Sequence, residues 1–177
     1  MQDILVVVDM QNDFIDGALG TKEAVAIVPA VEQKIRNFHG RVLFTRDTHD
    51  ATYLETQEGR KLPVSHCIRD TEGWQIHPVL EALRKEPAID KPVFGSVALG
   101  DALRTADSVE PVRSVTLVGL CTDICVISNA MIARAFLPEA EIIVDAACCA
   151  GVTPESHRNA LEAMKVCQVR IDGEATV

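Results

Sequence analysis

Aromatic side chains are scarce. Phe, Tyr and Trp make up 4% of the 177 residues, with a single Trp and a single Tyr, so there is little surface on which a flat ring could stack. Positive charge is also in deficit: 17 Lys and Arg face 26 Asp and Glu, a formal charge of −9. A phosphate backbone needs a basic surface, so nucleic acid is excluded as a partner and the charge speaks for solubility. No apolar run approaches the roughly 18 residues of a membrane span, which excludes a membrane partner; the longest are "ILVVV" and "VTLVGL". The opening "MQDILVVVDMQ" carries neither a basic leader nor a cleavage pattern, so a cytoplasmic protein is expected. Six cysteines without an export signal read as reduced thiols and not as a disulfide scaffold. No repeat, low-complexity tract or linker interrupts the chain, and its length suits one domain over 1–177.

What is present is alternation. "ILVVV" (4–8) reads as a buried strand, and 22–38 as a helix with Val28, Val31, Ile35 and Phe38 on one stripe. "RVLFT" (41–45) is a second strand, followed by a long polar loop, 47–73, and a short helix opening near Pro78. "AIDKPV" (88–93) gives a weaker strand and 97–106 a helix; "SVTLVG" (114–119) is a strand and 123–136 an apolar, buried helix. "EIIVD" (141–145) is a strand, Thr153 caps a helix with Pro154 at its first position, and "CQVRI" (167–171) is the last strand. Strict alternation of buried strands and helices predicts a three-layer α/β fold. It is an open, doubly wound sheet of about six parallel strands, order 3-2-1-4-5-6, with helices on both faces. Ligands in such sheets bind beyond the carboxyl ends of the strands, where the order reverses.

"GLCTDICV" (119–126) carries two cysteines four residues apart. Thr122 reads as an N-cap and Cys125 as the third helical residue, near unpaired N–H groups and the positive end of the helix dipole. That setting favours a thiolate nucleophile. Cys121, ahead of the cap, shapes the turn. The competing reading is two small buried hydrophobes. Asp9 ends the first strand and Lys91 the third, so the predicted order brings both to the edge that carries Cys125. There Lys91 can hold a thiolate and Asp9 can move its proton. In the long loop, Asp47 and His49 at i and i+2, with His66 further on, are nitrogen and carboxylate ligands suited to zinc, iron or manganese.

"VVVDMQNDF", "DKPVFGS" and "GLCTDICV" resemble the three signature segments of the isochorismatase-like cysteine hydrolases, the superfamily that includes nicotinamidases. "DAACCAGVTPESHRNAL" (145–161) resembles that family's tail segment. The resemblance covers essentially the whole chain. It implies an Asp–Lys–Cys triad on Asp9, Lys91 and Cys125. It also implies a cis peptide before Cys121, with the N–H groups of Cys121 and Cys125 forming an oxyanion hole. It adds a glutamate to the metal set, best matched by Glu58 with Glu55 as fallback, so that Asp47, His49, Glu58 and His66 would hold a divalent ion, foremost zinc. Phe14, Leu19 and Phe94 match the wall of a substrate pocket. The implied function is a thiol amidohydrolase acting on a small-molecule amide, foremost nicotinamide to nicotinate and ammonia, in a homo-oligomer. The alternatives are another small amide or carbamoyl compound, or a catalytically silent binding protein of the same fold. One departure bears on substrate: many nicotinamidases place a stacking tryptophan where this chain has Thr48. Trp74, in a loop, reads as packing.

Overall fold

The computed structural model describes residues 1–174. Six parallel strands, β1 Gln2–Val8, β2 Arg41–Asp47, β3 Ile89–Lys91, β4 Val112–Leu120, β5 Glu141–Ala150 and β6 Arg170–Asp172, form one sheet. Its order is 3-2-1-4-5-6, as the alternating pattern predicts. Successive residues of β1 point to opposite faces and so serve two cores. Ile4, Val6 and Val8 meet Leu99 and Leu103 of α5 (Val97–Val109), Ala130 and Ala133 of α6 (Ile127–Phe136), and Leu161 and Met164 of α7 (Pro154–Val166). Leu5 and Val7 meet Ile27, Val28, Val31 and Ile35 of α2 (Lys22–Asn37) on the other face. Two one-turn helices, α1 (Asn12–Ile15) and α4 (Pro78–Glu81), and the short α3 (Gln57–Lys61) complete the helices. None among the described residues is long and apolar enough to cross a membrane.

The differences from the expected elements have local causes. β5 runs five residues beyond "EIIVD", because small side chains let Cys149 and Ala150 pair with Gly119 and Leu120 after a register shift. β3 stops at Lys91, where Pro92 has no N–H to continue the ladder. The 47–73 segment is not bare loop. It contains a 3-10 turn (Tyr53–Glu55) and α3, and it buries Tyr53, whose hydroxyl donates to Leu62 O at 3.0 Å. Thr153 caps α7 as expected, with Pro154 first and Ser156 returning the cap. Gly119 sits at φ +116°, and a Cβ there would lie 2.1 Å from Val8 O. Only glycine lets β1 and β4 close at the point where both strands hand over to the site.

Candidate active site

β1, β2, β3 and β4 are sheet neighbours, so residues at their carboxyl ends converge. Asp9 follows Val8, and Asp47 and Lys91 are register partners at the ends of β2 and β3. Cys125 lies in a π turn, Thr122–Val126, between β4 and α6. Asp9 takes a left-handed φ of +46°, uncommon for a residue with a side chain, and is fully buried. Its Oδ1 accepts from Thr45 Oγ1 at 2.7 Å, and its Oδ2 lies 2.6 Å from Lys91 Nζ. That second contact is an ion pair without hydrogen-bond alignment, so Oδ2 keeps a lone pair free for a proton. Lys91 Nζ also meets Asp47 Oδ1 at 3.1 Å, Val93 O at 3.2 Å and Cys125 Sγ at 3.4 Å.

An ammonium this buried survives only because two carboxylates compensate it. Burial alone would lower the Lys91 pKa, but the Asp9 and Asp47 carboxylates oppose it and hold the lysine charged. Burial raises the Asp9 carboxyl above an ordinary aspartate, with Lys91 opposing. Burial also pushes the Cys125 thiol well up, with Asp9 adding to the rise and Lys91 opposing it. This direction runs against the thiolate expected from the helix terminus, with Lys91 alone favouring it. Asp9 is the proton acceptor at hand, its Oδ2 beside the same ammonium that meets the sulfur. The helix start differs as well. Thr122 is not the cap; Cys121 is, and its carbonyl accepts from the N–H groups of Ile124 and Val126. Thr122 Oγ1 instead shares a 2.7 Å hydrogen bond with His157 Nδ1, and the Asp123 carboxylate accepts from Val152 N–H at 3.1 Å. Cys125 becomes the fourth residue of the π turn, not the third of an α-helix. The Leu120–Cys121 peptide is cis.

Asp47, His49, Glu58 and His66 each offer one ligand atom, all within 4.8 Å of one another. His49 Nε2 lies 3.0 Å from Asp47 Oδ2 and 3.6 Å from Glu58 Oε1; His66 Nε2 lies 3.5 Å and 4.0 Å from the same two oxygens. His66 Nδ1 pairs with Val64 O at 2.8 Å as the donor, so in the neutral ring Nε2 is the lone pair facing the cluster. Two imidazoles and two carboxylates so oriented fit a divalent transition ion. Glu55 is exposed in the 3-10 turn and takes no part. Burial would raise the Asp47 carboxyl, but His49, His66 and Lys91 hold it well below the ordinary range. Asp47 thus joins the two clusters, one oxygen toward Lys91 and the other toward the imidazoles.

A cavity of about 180 Å³ opens over both clusters. Phe14, Leu19 and Phe94 all line it, together with Leu120, Cys121, Ile124 and Cys125. Thr48 does not. Its hydroxyl accepts from Trp74 Nε1 at 2.9 Å and donates to Arg46 O at 3.0 Å, so the slot between the two metal-type ligands faces away from the cavity. Trp74 is buried packing, with the Arg46 guanidinium 3.5 Å over its ring.

Sequence reading missed Gln11. Its Nε2 donates to Asp47 O at 2.8 Å and Trp74 O at 2.9 Å, and its Oε1 accepts from Asp47 N–H at 2.7 Å. A fully buried amide therefore holds the backbone of Asp47 from both sides. The signal was a neutral polar residue two places after Asp9, and a neutral amide announces no chemistry of its own.

Residues 3–174 match the Isochorismatase domain family. The nicotinamidase/pyrazinamidase of Mycobacterium tuberculosis is 27% identical, over 94% of this chain and 96% of its own. The zinc-complexed pyrazinamidase of Pyrococcus horikoshii superposes with a TM-score of 0.79 at 28% identity, covering 97% of this chain and 98% of that one. The pyrazinamidase/nicotinamidase of Streptococcus mutans does so at 0.80 and 28%, covering 96% and 99%. With the sheet order, the whole-chain family match and these superpositions agreeing, the chain belongs to the isochorismatase family.

Proposed function

We propose that this chain hydrolyses the C–N bond of a small neutral amide through a thioester on Cys125, with nicotinamide as the leading substrate. The observation that carries the reading is the placement of Cys125 Sγ, 3.4 Å from a lysine that is itself paired with Asp9, in the wall of an apolar cavity. The relatives named as nicotinamidases and pyrazinamidases support the amide and its ring. A buried lysine between two carboxylates and beside a cysteine favours this reading over a catalytically silent protein.

As an amide carbonyl settles over Cys125, Asp9 takes the thiol proton while sulfur bonds to carbon. Lys91 stays charged and balances the negative charge as it forms. The oxyanion is received by the N–H groups of Cys121 and Cys125. Asp9 then gives its proton to nitrogen, the C–N bond breaks and ammonia leaves a thioester. Water attacks the thioester while Asp9 removes its proton; the C–S bond breaks and the proton returns to sulfur, releasing the acid. Asp47, His49, Glu58 and His66 would hold a divalent ion beside this site, foremost zinc, which when bound supplies Lewis-acid polarisation.

No Lys or Arg lines the cavity among the described residues, whereas Asp47 and Glu58 do. The lining therefore offers a substrate carboxylate no side-chain cation, and neutral amides fit. Ammonia release from a panel of nicotinamide, pyrazinamide, aliphatic amides and N-carbamoyl amino acids tests this. Turnover of the neutral ring amides is expected, with Asp9→Asn lowering it by at least about 100-fold because the shape stays and the base goes. Absence of ammonia from every amide, or near-normal rates in Asp9→Asn, would overturn the reading.

A further inference from the structure

We infer that Asn129 is a positioning residue that fixes the Phe94 wall of the cavity relative to Cys125. The inference rests on the amide-hydrolase reading for its substrate, but its geometry is independent of it. Asn is a poor choice inside a helix, because its side chain competes for backbone groups. Yet Asn129 lies inside α6 with no exposed surface. Its amide is fully engaged with two separate segments. Nδ2 donates to Cys125 O at 2.8 Å, one turn back, and to Phe94 O at 3.0 Å; Oδ1 accepts from Ser96 N–H at 2.9 Å.

The segment it grips leaves β3 directly after Lys91. Val93 O accepts from Lys91 Nζ, and Ser96 Oγ accepts from Leu99 N–H to cap α5. Between them the backbone lies so close to α6 that a Cβ on Gly95 would fall 2.7 Å from Ile132 Cδ1. Phe94 needs this help. The residue is 43% exposed at the mouth of the cavity, so packing alone does not hold it. One buried side chain thus sets the distance between the wall that contacts substrate and the turn that carries the nucleophile. Misplacement on the scale of 1 Å costs roughly 10- to 100-fold in such a site.

The test separates the two halves of the clamp. In Asn129→Ser the hydroxyl still reaches the carbonyl one turn back but cannot span to Phe94 and Ser96; Asn129→Thr repeats the comparison if the serine variant folds poorly. Two readouts are taken: KM and kcat for nicotinamide, and the half-saturating concentration of iodoacetamide for alkylation of Cys125, followed by peptide mass. Expected for Asn129→Ser is a rise of roughly 10-fold in KM and in half-saturation, exceeding any change in kcat. Phe94→Ala should do the same, and the double variant should be no worse than the worse single one. Serine or threonine variants matching the wild type, or losses that multiply in the double variant, would overturn the inference. If nicotinamide and every other amide fail as substrates while the iodoacetamide pattern holds, the amide-hydrolase reading falls and the clamp stands.

Discussion

Cys125→Ala is expected to lower kcat/KM for the amide substrate by at least about 10⁴-fold, the scale on which covalent catalysts fail when the nucleophile is removed. The fold should persist, since the change deletes one sulfur atom from a residue that packs among Val126, Ala130 and their neighbours. Cys121→Ala should keep most activity, because the proposed oxyanion role belongs to its N–H and not its sulfur. The electrostatics sharpen a companion result. Burial pushes the thiols of Cys121 up to about 12 and Cys148 up to about 11, and raises Cys67 and Cys149 further. Cys125 is raised too, but among the described residues it is the cysteine whose sulfur lies within hydrogen-bond reach of Lys91. A limiting amount of a small neutral alkylating amide should therefore label Cys125 first, with exposed Cys167 the main competitor. Asp9→Asn should suppress that selectivity. Preferential labelling of Cys121 or Cys67 with activity unchanged would remove Cys125 from its proposed role.

Metal removal should have the next largest effect. The segment from Thr48 to His66 packs through Tyr53, whose ring contacts both His49 and His66, with centroids at 4.6 and 4.9 Å. Backbone bonds tie its first residues to Lys91 and Cys67, and the four-ligand cluster holds Glu58 of α3 against Asp47 at the end of β2. Ion binding there becomes local folding energy. Chelation should loosen the backbone around the exposed basic pair Arg60 and Lys61, raising the rate of tryptic nicking by on the order of 10-fold while the sheet stays folded. Activity should fall in parallel, since Asp47 links the cluster to Lys91. His49→Ala should reproduce the effect, and His39→Ala, on an exposed turn, should be silent. An active preparation with less than about a tenth of an equivalent of transition metal, indifferent to chelator, would leave the cluster as a hydrogen-bonded lid.

Much of this architecture is legible in the chain. Buried runs such as "ILVVV" and "SVTLVG" can only be central parallel strands. Once their order is fixed, Asp9, Lys91 and Cys125 must share an edge, as they do. The charged and metal-type residues were visible because their chemistry is intrinsic to the side chain. What escaped depended on neighbours distant in sequence. The upward pull on the Cys125 thiol comes from burial beside two carboxylates, which spacing cannot count. The cap moved from Thr122 to Cys121 because His157, 35 residues later, claims the Thr122 hydroxyl. Gln11 and Asn129 carry neutral amides whose importance lies wholly in which backbone groups the fold brings to them. Thr48 stands where the resemblance places a stacking tryptophan, yet its hydroxyl turns to Trp74 and away from the cavity.

Rapid quenching of the protein during turnover of nicotinamide, followed by peptide mass analysis, addresses the covalent step itself. One nicotinoyl group should appear on the peptide carrying Cys125, be absent in Cys125→Ala, and disappear as nicotinate is released. Ammonia release at normal rates with no acyl group on Cys125 at any quench time, or with the group on another cysteine, would contradict catalysis through this residue.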